Sequence, residues 1–166
     1  KEAVGYKIRH VPATLHDMLK TDAMLEWEYG PHLGRTAEQA IGASRDRLNL
    51  MQASTSDHEI ALPLHEMESF AASAGYCKGL PDEIRVQQID YLSQLCSQMY
   101  PRLRLYMFDA RRIYSAPVTI FGPLLAVLYI GLNYLAFRDN ARIHTFTNRF
   151  DQLVREVSVN TLAIQE

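Results

Sequence analysis

The densest group of chemistry-bearing side chains lies in "RLYMFDARRIY", residues 104–114, which holds Arg104, Tyr106, Asp109, Arg111, Arg112 and Tyr114. Arginine offers a planar fork of donors that matches a carboxylate or a phosphate, and tyrosine adds apolar area with a polar tip. The segment leaves the end of an expected strand, a place where ligands bind in α/β sheets. A ligand pocket built there would take Tyr106, Asp109, Arg111, Arg112 and Tyr114, together with Tyr129 and Asn133 from the apolar run that follows. Surface ion pairs around a turn would explain the same residues. The sequence leaves both accounts open.

Six histidines raise the question of a metal or a general base. "HEIALPLHE" pairs His58 with Glu59 and His65 with Glu66, but the two histidines lie seven positions apart with Pro63 between them. A zinc-binding helix needs two histidines four apart with a glutamate beside the first. No metal site is expected. In "HTFTNRFD", His144 and Asp151 have the spacing of the H-x-K-x4-D motif of phospholipase-D-type phosphodiesterases. That chemistry uses the histidine as nucleophile and the lysine as a phosphate clamp. Phe146 stands where the lysine is needed, and the segment reads as a helix with Phe146 turned inward. Neither a nucleophile elbow nor a glycine-rich phosphate loop occurs. Cys77 and Cys96 are too far apart for a metal-binding pair and read as small buried groups in a reducing cytoplasm. No catalytic residue and no cofactor is expected.

The 166 residues are enough for one domain with a real core. Apolar residues make up 48% and charged residues 22%, ordinary for a globular protein. A net charge of −2 provides no general basic field for nucleic acid. The start, "KEAVGYKIRHVPATL", has no continuous apolar core of the signal-peptide kind. The chain also begins without Met, which leads to the expectation that it was cut from something longer.

These side chains need elements to hold them. The first third reads helical. Thr14 is a candidate N-cap with Asp17 three residues on, and Thr36 is another with Gln39 at the capping-box position. Ala37, Ala40, Ile41, Ser44, Leu48 and Met51 then share one face. "EIAL" reads as a short strand, and Pro63 argues against a central strand there. Pro81 opens a long helix that Pro101 ends. "RLRLYMF" alternates as a strand. The uncharged run "TIFGPLLAVLYIGLNYLAF", residues 119–137, is barely long enough for a membrane span. Gly122-Pro123 interrupts it, and its Val, Ile, Tyr and Phe content favours paired inner strands over a buried helix. A closing helix carries Ile143, Phe146, Phe150, Leu153, Val154 and Val157 on one face, and "SVNTLAIQE" could prolong it. The expected fold is α+β or α/β: a small, mainly antiparallel or mixed sheet of about four strands packed with helices. A helical segment over 1–56 would precede a regulatory domain over 57–166.

"GASRDRLNLMQAS", "DHEIALPLHEMESFA", "YPRLRLYMFDARRIYSAPVTIFGP", "YLAF" and "FDQLVREV" resemble the C-terminal regulatory region of bacterial XRE-type helix-turn-helix transcription regulators. The likeness runs from about Thr36 onward and rests on packing patterns. It implies a cytoplasmic regulatory and dimerisation domain that forms a homodimer and reaches DNA through an N-terminal helix-turn-helix that this sequence does not contain; the alternative is a domain that senses a small-molecule effector, and a phosphodiesterase-like hydrolase ranks behind both. Some such regions are thought to resemble a degenerate phospholipase-D-type fold, and Phe146 in place of the lysine fits a non-catalytic form. The expected pairing surface comprises Leu25, Trp27 and Tyr29 from the N-terminal helices, with Phe150 and Val154 from the last helix. No membrane partner is expected.

Overall fold

A computed structural model describes residues 5–31, 34 and 36–159. Seven strands form one sheet: β1 (Lys7–Val11), β2 (Asp57–Pro63), β3 (Leu103–Phe108), β4 (Val118–Phe121), β5 (Leu125–Ile130), β6 (Asn133–Phe137) and β7 (Val157–Val159). Five α-helices accompany them: α1 (Asp22–Tyr29), α2 (Ala37–Ala53), α3 (Leu64–Ala71), α4 (Asp82–Met99) and α5 (Asn140–Arg155). The spatial order is β6-β5-β4-β1-β2-β3-β7. β1, β2 and β3 are parallel neighbours, whereas β4, β5 and β6 form an antiparallel meander and β7 closes the far edge antiparallel to β3.

The connections explain the layers. α1 and α2 lie between β1 and β2 in the chain, and α3 and α4 between β2 and β3. Two right-handed crossovers stepping the same way along a sheet place their helices on one face. Met51 of α2 and Leu92, Leu95 and Cys96 of α4 pack there on Ile60, Leu62, Leu103, Leu105 and Met107. The opposite face carries Val11, Ala61, Phe108, Val118, Ile120 and Ala126 under Ile143, Phe150 and Leu153 of α5. A third cluster, Met24, Phe70, Cys77 and Leu80, binds α1 to α3.

Local chemistry fixes the helix ends. Thr36 and Gln39 form the expected capping box, with both side chains hydrogen-bonded to the opposing backbone. Asp139 caps α5 by accepting from the Arg142 backbone N–H at 3.0 Å. The free carbonyls at the end of α2 meet Arg102, whose Nη2 donates to Met51 O at 3.2 Å, Gln52 O at 3.0 Å and Ser54 O. A cation at a helix C-terminus also opposes the helix dipole favourably. Buried Gln88 ties α4 to the loop before α1: its Oε1 accepts from Thr21 N at 2.7 Å and its Nε2 donates to Leu19 O at 2.8 Å.

The mixed, helix-packed sheet agrees with the sequence reading, but it has seven strands where about four were expected. The extra strands have physical causes. β1 falls inside the stretch over 1–56 that was expected to be helical, and it pairs with both β2 and β4, so that stretch and residues 57–159 share one sheet. Its "KIRHV" places Lys, Arg and His on the two faces, which hides the usual apolar alternation. Thr14 caps no helix, and Thr21 caps α1 instead by accepting from Met24 N. Pro63 sits on the last residue of β2, a central strand, and α3 begins immediately after it. The long apolar run is three strands rather than a membrane span, and among the described residues no helix is long and apolar enough to cross a membrane. Its second half turns at Gly131, whose φ of +58° suits glycine, and β6 becomes the sheet edge. The stretch expected to prolong α5 turns at Glu156 into β7, and residues 160–166 lie outside the described residues.

Candidate functional site

Alternation along the strands sends Ile8 and His10 of β1, His58 of β2, Thr119 and Phe121 of β4 and Tyr129 of β5 to the face that α2 covers. α2 lies over β1 at a distance that leaves a cavity of about 490 Å3. Its floor is made by those six side chains, and His16, Met18, Arg47, Leu50, Met51 and Ser54 complete the wall. A neighbouring opening of about 470 Å3, beside Pro117 and Gly131, shares His16, Arg47, Thr119 and Tyr129 with it.

Three imidazoles meet at the floor. The His10 ring lies parallel to that of His58 with 5.8 Å between centroids and meets that of His16 edge-on at 5.2 Å. Nδ1 of His10 is 3.2 Å from the Thr119 hydroxyl, which accepts from the Tyr129 hydroxyl at 3.4 Å. The other ring nitrogen of His10 is Nε2. That Nε2 is buried and has no protein partner, and neither ring nitrogen of His58 has one either. His58 is only 8% exposed. Buried polar groups are almost always hydrogen-bonded, and leaving one unmet costs about 1–3 kcal/mol. Three nitrogens without a protein partner among the described residues thus lie buried beneath one cavity, where solvent does not touch them.

The imidazoles are held neutral. Burial, then the neighbouring His16 and His58, takes His10 down to about 3. Burial and the Arg47 guanidinium bring His16 down to about 4, against a smaller upward pull from Asp17. Burial lowers His58, with Arg102 adding to it and Asp57 opposing. Bases this weak are poorly matched to general acid–base work near neutrality. Each neutral ring instead presents one donor and one acceptor. The stacked rings aim their lone pairs along parallel planes, and among the described residues no group of three His, Cys, Asp or Glu is arranged to hold a metal ion. Arg47 forms no ion pair among the described residues, so its charge is free at the rim.

Of the ligand residues expected from the sequence, only Tyr129 reaches this cavity. Tyr106 points to the other face of β3, where burial raises its phenol beside Arg104. Asp109 is gripped by Arg111, through its backbone N at 2.9 Å, Nε at 3.0 Å and Nη2 at 2.9 Å. Those bonds hold the Asp109 carboxyl down at about 2. Arg112 pairs with Glu156 at 3.2 Å. Tyr114 is exposed, and its carbonyl accepts from Arg149 Nε at 3.0 Å. Asn133 is exposed on β6. The group at residues 106–114 is thus a turn laced by ion pairs rather than a pocket. His10, His16 and His58 gave no spacing signal, because β1, the following loop and β2 bring them together only in three dimensions.

The expected pairing residues are also placed differently. Leu25 and Phe150 are 0% and 1% exposed, enclosed by the protomer's own core. Trp27 packs on the α1–α3 cluster, Val154 on the α5 cluster, and the Tyr29 hydroxyl donates to Asp17 at 2.7 Å. Helical periodicity marks a buried stripe without saying what buries it. Among the large exposed apolar side chains, five sit together on the β5–β6 hairpin: Tyr129, Ile130, Leu132, Tyr134 and Leu135.

Cys77 and Cys96 are both buried with raised thiols, Cys96 to about 11 through burial alone, which keeps them in the unreactive form. His144 and Asp151 both lie on α5, and Phe146 between them packs inward against the Phe137 ring at 5.5 Å. Comparison with known proteins finds no matching family model, no matching curated protein and no matching solved structure.

Proposed function

We propose that this chain is the small-molecule-sensing regulatory region of a helix-turn-helix transcription regulator, binding its effector in the histidine-floored cavity under α2. The observation that carries the sensing half is a cavity of about 490 Å3 whose mainly apolar lining includes His10, His16, His58, Thr119 and Tyr129. Pockets for small ligands combine a mainly apolar wall with a few convergent polar groups. Met18, Leu50, Met51, Ile8 and Phe121 provide the wall, and the imidazoles with Thr119 and Tyr129 provide the polar groups. The fitting ligand is small, largely apolar and flat enough to lie along the paired imidazoles. It carries a donor and an acceptor side by side, as an amide or lactam does. α2 roofs the cavity, so occupancy would bias its position, and a ligand shifts a conformational equilibrium by its differential affinity for the two states. The regulator half rests on the resemblance of the segments from Thr36 onward.

Pairing of two copies belongs to the same reading, with the β5–β6 hairpin as its surface in place of the buried residues. A sheet edge bearing exposed Leu132, Tyr134 and Leu135, with no charged residue over Asn133–Phe137, offers an unpaired strand to a second copy. The sensing reading is tested by native mass spectrometry of the chain against small planar amides, beginning with nicotinamide, and with His58→Leu as control. Binding that disappears in the variant is expected. Binding of equal strength in both proteins would sink the reading.

A further inference from the structure

The opposite face of the sheet holds an excess of positive charge that no carboxylate among the described residues offsets beyond Glu59. The register sets Arg9 of β1, Glu59 of β2 and Arg104 of β3 side by side across three parallel strands. Lys7, two residues before Arg9, shares their face. Glu59 is the only carboxylate paired with them among the described residues. Its Oε1 lies 3.4 Å from Lys7 Nζ and 2.9 Å from Arg104 Nη2, and its Oε2 lies 3.4 Å from Arg9 Nε. Three cations thus share one anion. Arg9 is the least exposed of the three, its side chain 16% accessible and its Nε buried without a hydrogen bond. Its guanidinium stands over the Phe150 ring at 5.9 Å, and no carboxylate or carbonyl accepts from its Nη atoms among the described residues. Asp151, on the same helix, joins no ion pair within the described residues.

Uncompensated charge in a part-buried place is costly unless something pairs it. Arg9 and Lys7 line a cavity of about 710 Å3 between β1 and α5. Asn140, His144 and Thr147 recur at helical spacing along the α5 side of it. The turn after β4 forms the far wall, with Gly122 at φ +48° seated so closely on Tyr6 that a Cβ would come within 2.9 Å of its ring. The side chains that could donate hydrogen bonds into this cavity are the two fixed cations Arg9 and Lys7, the Asn140 amide, the His144 imidazole and the Tyr6 phenol, with no carboxylate among its lining residues; the Thr147 hydroxyl donates to Ile143 O at 2.9 Å. A guanidinium whose outer nitrogens are free matches two oxygens of a tetrahedral anion.

We propose that this cavity binds a phosphate-type oxyanion, with Arg9 and Lys7 as its charge partners and Asn140 and His144 as further hydrogen-bond donors. Glu59 is a positioning residue: it holds the two cations on the sheet without cancelling them. The site is independent of the histidine cavity, which lies on the other side of the sheet and offers neutral groups.

The test is thermal unfolding of the intact chain in inorganic phosphate, against sodium chloride of equal ionic strength. Phosphate should raise the midpoint in a saturating way where chloride does not. Arg9→Gln should abolish the rise, Lys7→Gln should weaken binding at least several-fold, and Arg47→Gln on the opposite face should leave it intact. Lys7 is the most exposed of the three cations, its side chain 39% accessible, so Lys7→Gln decides the matter even if Arg9→Gln fails to fold. No rise over chloride, or the same rise in Lys7→Gln as in the parent, overturns the proposal. Phenyl phosphate run in parallel identifies the source: tighter binding than inorganic phosphate assigns a phosphate ester and equal binding a free ion, and either supports the site.

Discussion

The imidazoles of His10 and His58 lie face to face on adjacent parallel strands, 8° from parallel with 5.8 Å between their centroids. Two rings so close cannot both carry a proton without repulsion in a place that water barely reaches. Their mutual influence joins burial in holding His10 at about 3. The neutrality of the cavity floor is therefore a property of the fold and not of the residue type.

This relationship gives the protein an acid-sensitive window. The unfolded chain binds protons at these histidines as pH falls through 6.5, whereas the folded chain resists until about 4 for His16 and about 3 for His10. The unfolded state therefore holds more protons between those values, and stability falls as pH falls. Each histidine contributes a slope on the order of 1.4 kcal/mol per pH unit inside the window. Urea unfolding at pH 7, 6 and 5 should show the loss, before most carboxylates titrate. His10→Asn should flatten the slope by about one proton, and an unchanged slope would refute the account.

His58 should be dispensable for folding. Both of its ring nitrogens are buried without a partner, so replacing the ring by an apolar side chain removes an unmet cost. His58→Leu is expected to leave the unliganded domain as stable as the parent or more so by about 1 kcal/mol. The same change should weaken effector binding at least tenfold. A loss of more than about 2 kcal/mol in urea unfolding would mean that the nitrogens already bond within the fold.

Gln88 behaves in the opposite way, because both ends of its amide are met. Gln88→Leu would strand the Thr21 N–H and the Leu19 carbonyl where α4 meets the start of α1. A loss of about 2–3 kcal/mol is expected, since two backbone groups lose their partners. Chemical denaturation reads it directly, and a change below about 0.5 kcal/mol would show that water replaces the amide.

Self-association should follow the β5–β6 hairpin. Leu132→Glu with Tyr134→Lys places charge on the exposed turn and edge strand without touching the core. Light scattering over a dilution series should show the parent heavier than one chain and the double variant monomeric. Equal masses for the two proteins would remove the hairpin from the interface. Leu25→Ala is the matching control: it should lower stability by roughly 2–5 kcal/mol, as a cavity in the core does, and leave the association of the folded fraction unchanged.

Several elements were legible in the sequence because their causes are local. The Thr36–Gln39 capping box, the break at Pro101 and the alternation of "RLRLYMF" all appear where neighbouring residues alone require them. β1 was not legible, since a strand in a sheet centre that carries Lys, Arg and His needs partners from β2, β4 and α5 to absorb them. The run at residues 119–137 was read as strands from its composition, but its position at the edge was not, since both β4–β5 and β5–β6 pairing are consistent with an inner place.

Composition and periodicity determined the class of fold, the helix ends and the absence of any nucleophile or metal motif of recognised spacing, because those depend on residues within a few positions of one another. The tertiary structure decided where the chemistry lies. It moved the apolar stripes of α1 and α5 inside, reduced the Arg-rich turn at 109–112 to ion pairs, and gathered His10, His16 and His58 beneath α2. It also set Lys7, Arg9 and Arg104 around a single carboxylate on the other face. The reason is the parallel register: β1 and β2 are about 50 positions apart in the chain, and only a crossover that carries helices over the sheet brings their side chains within reach.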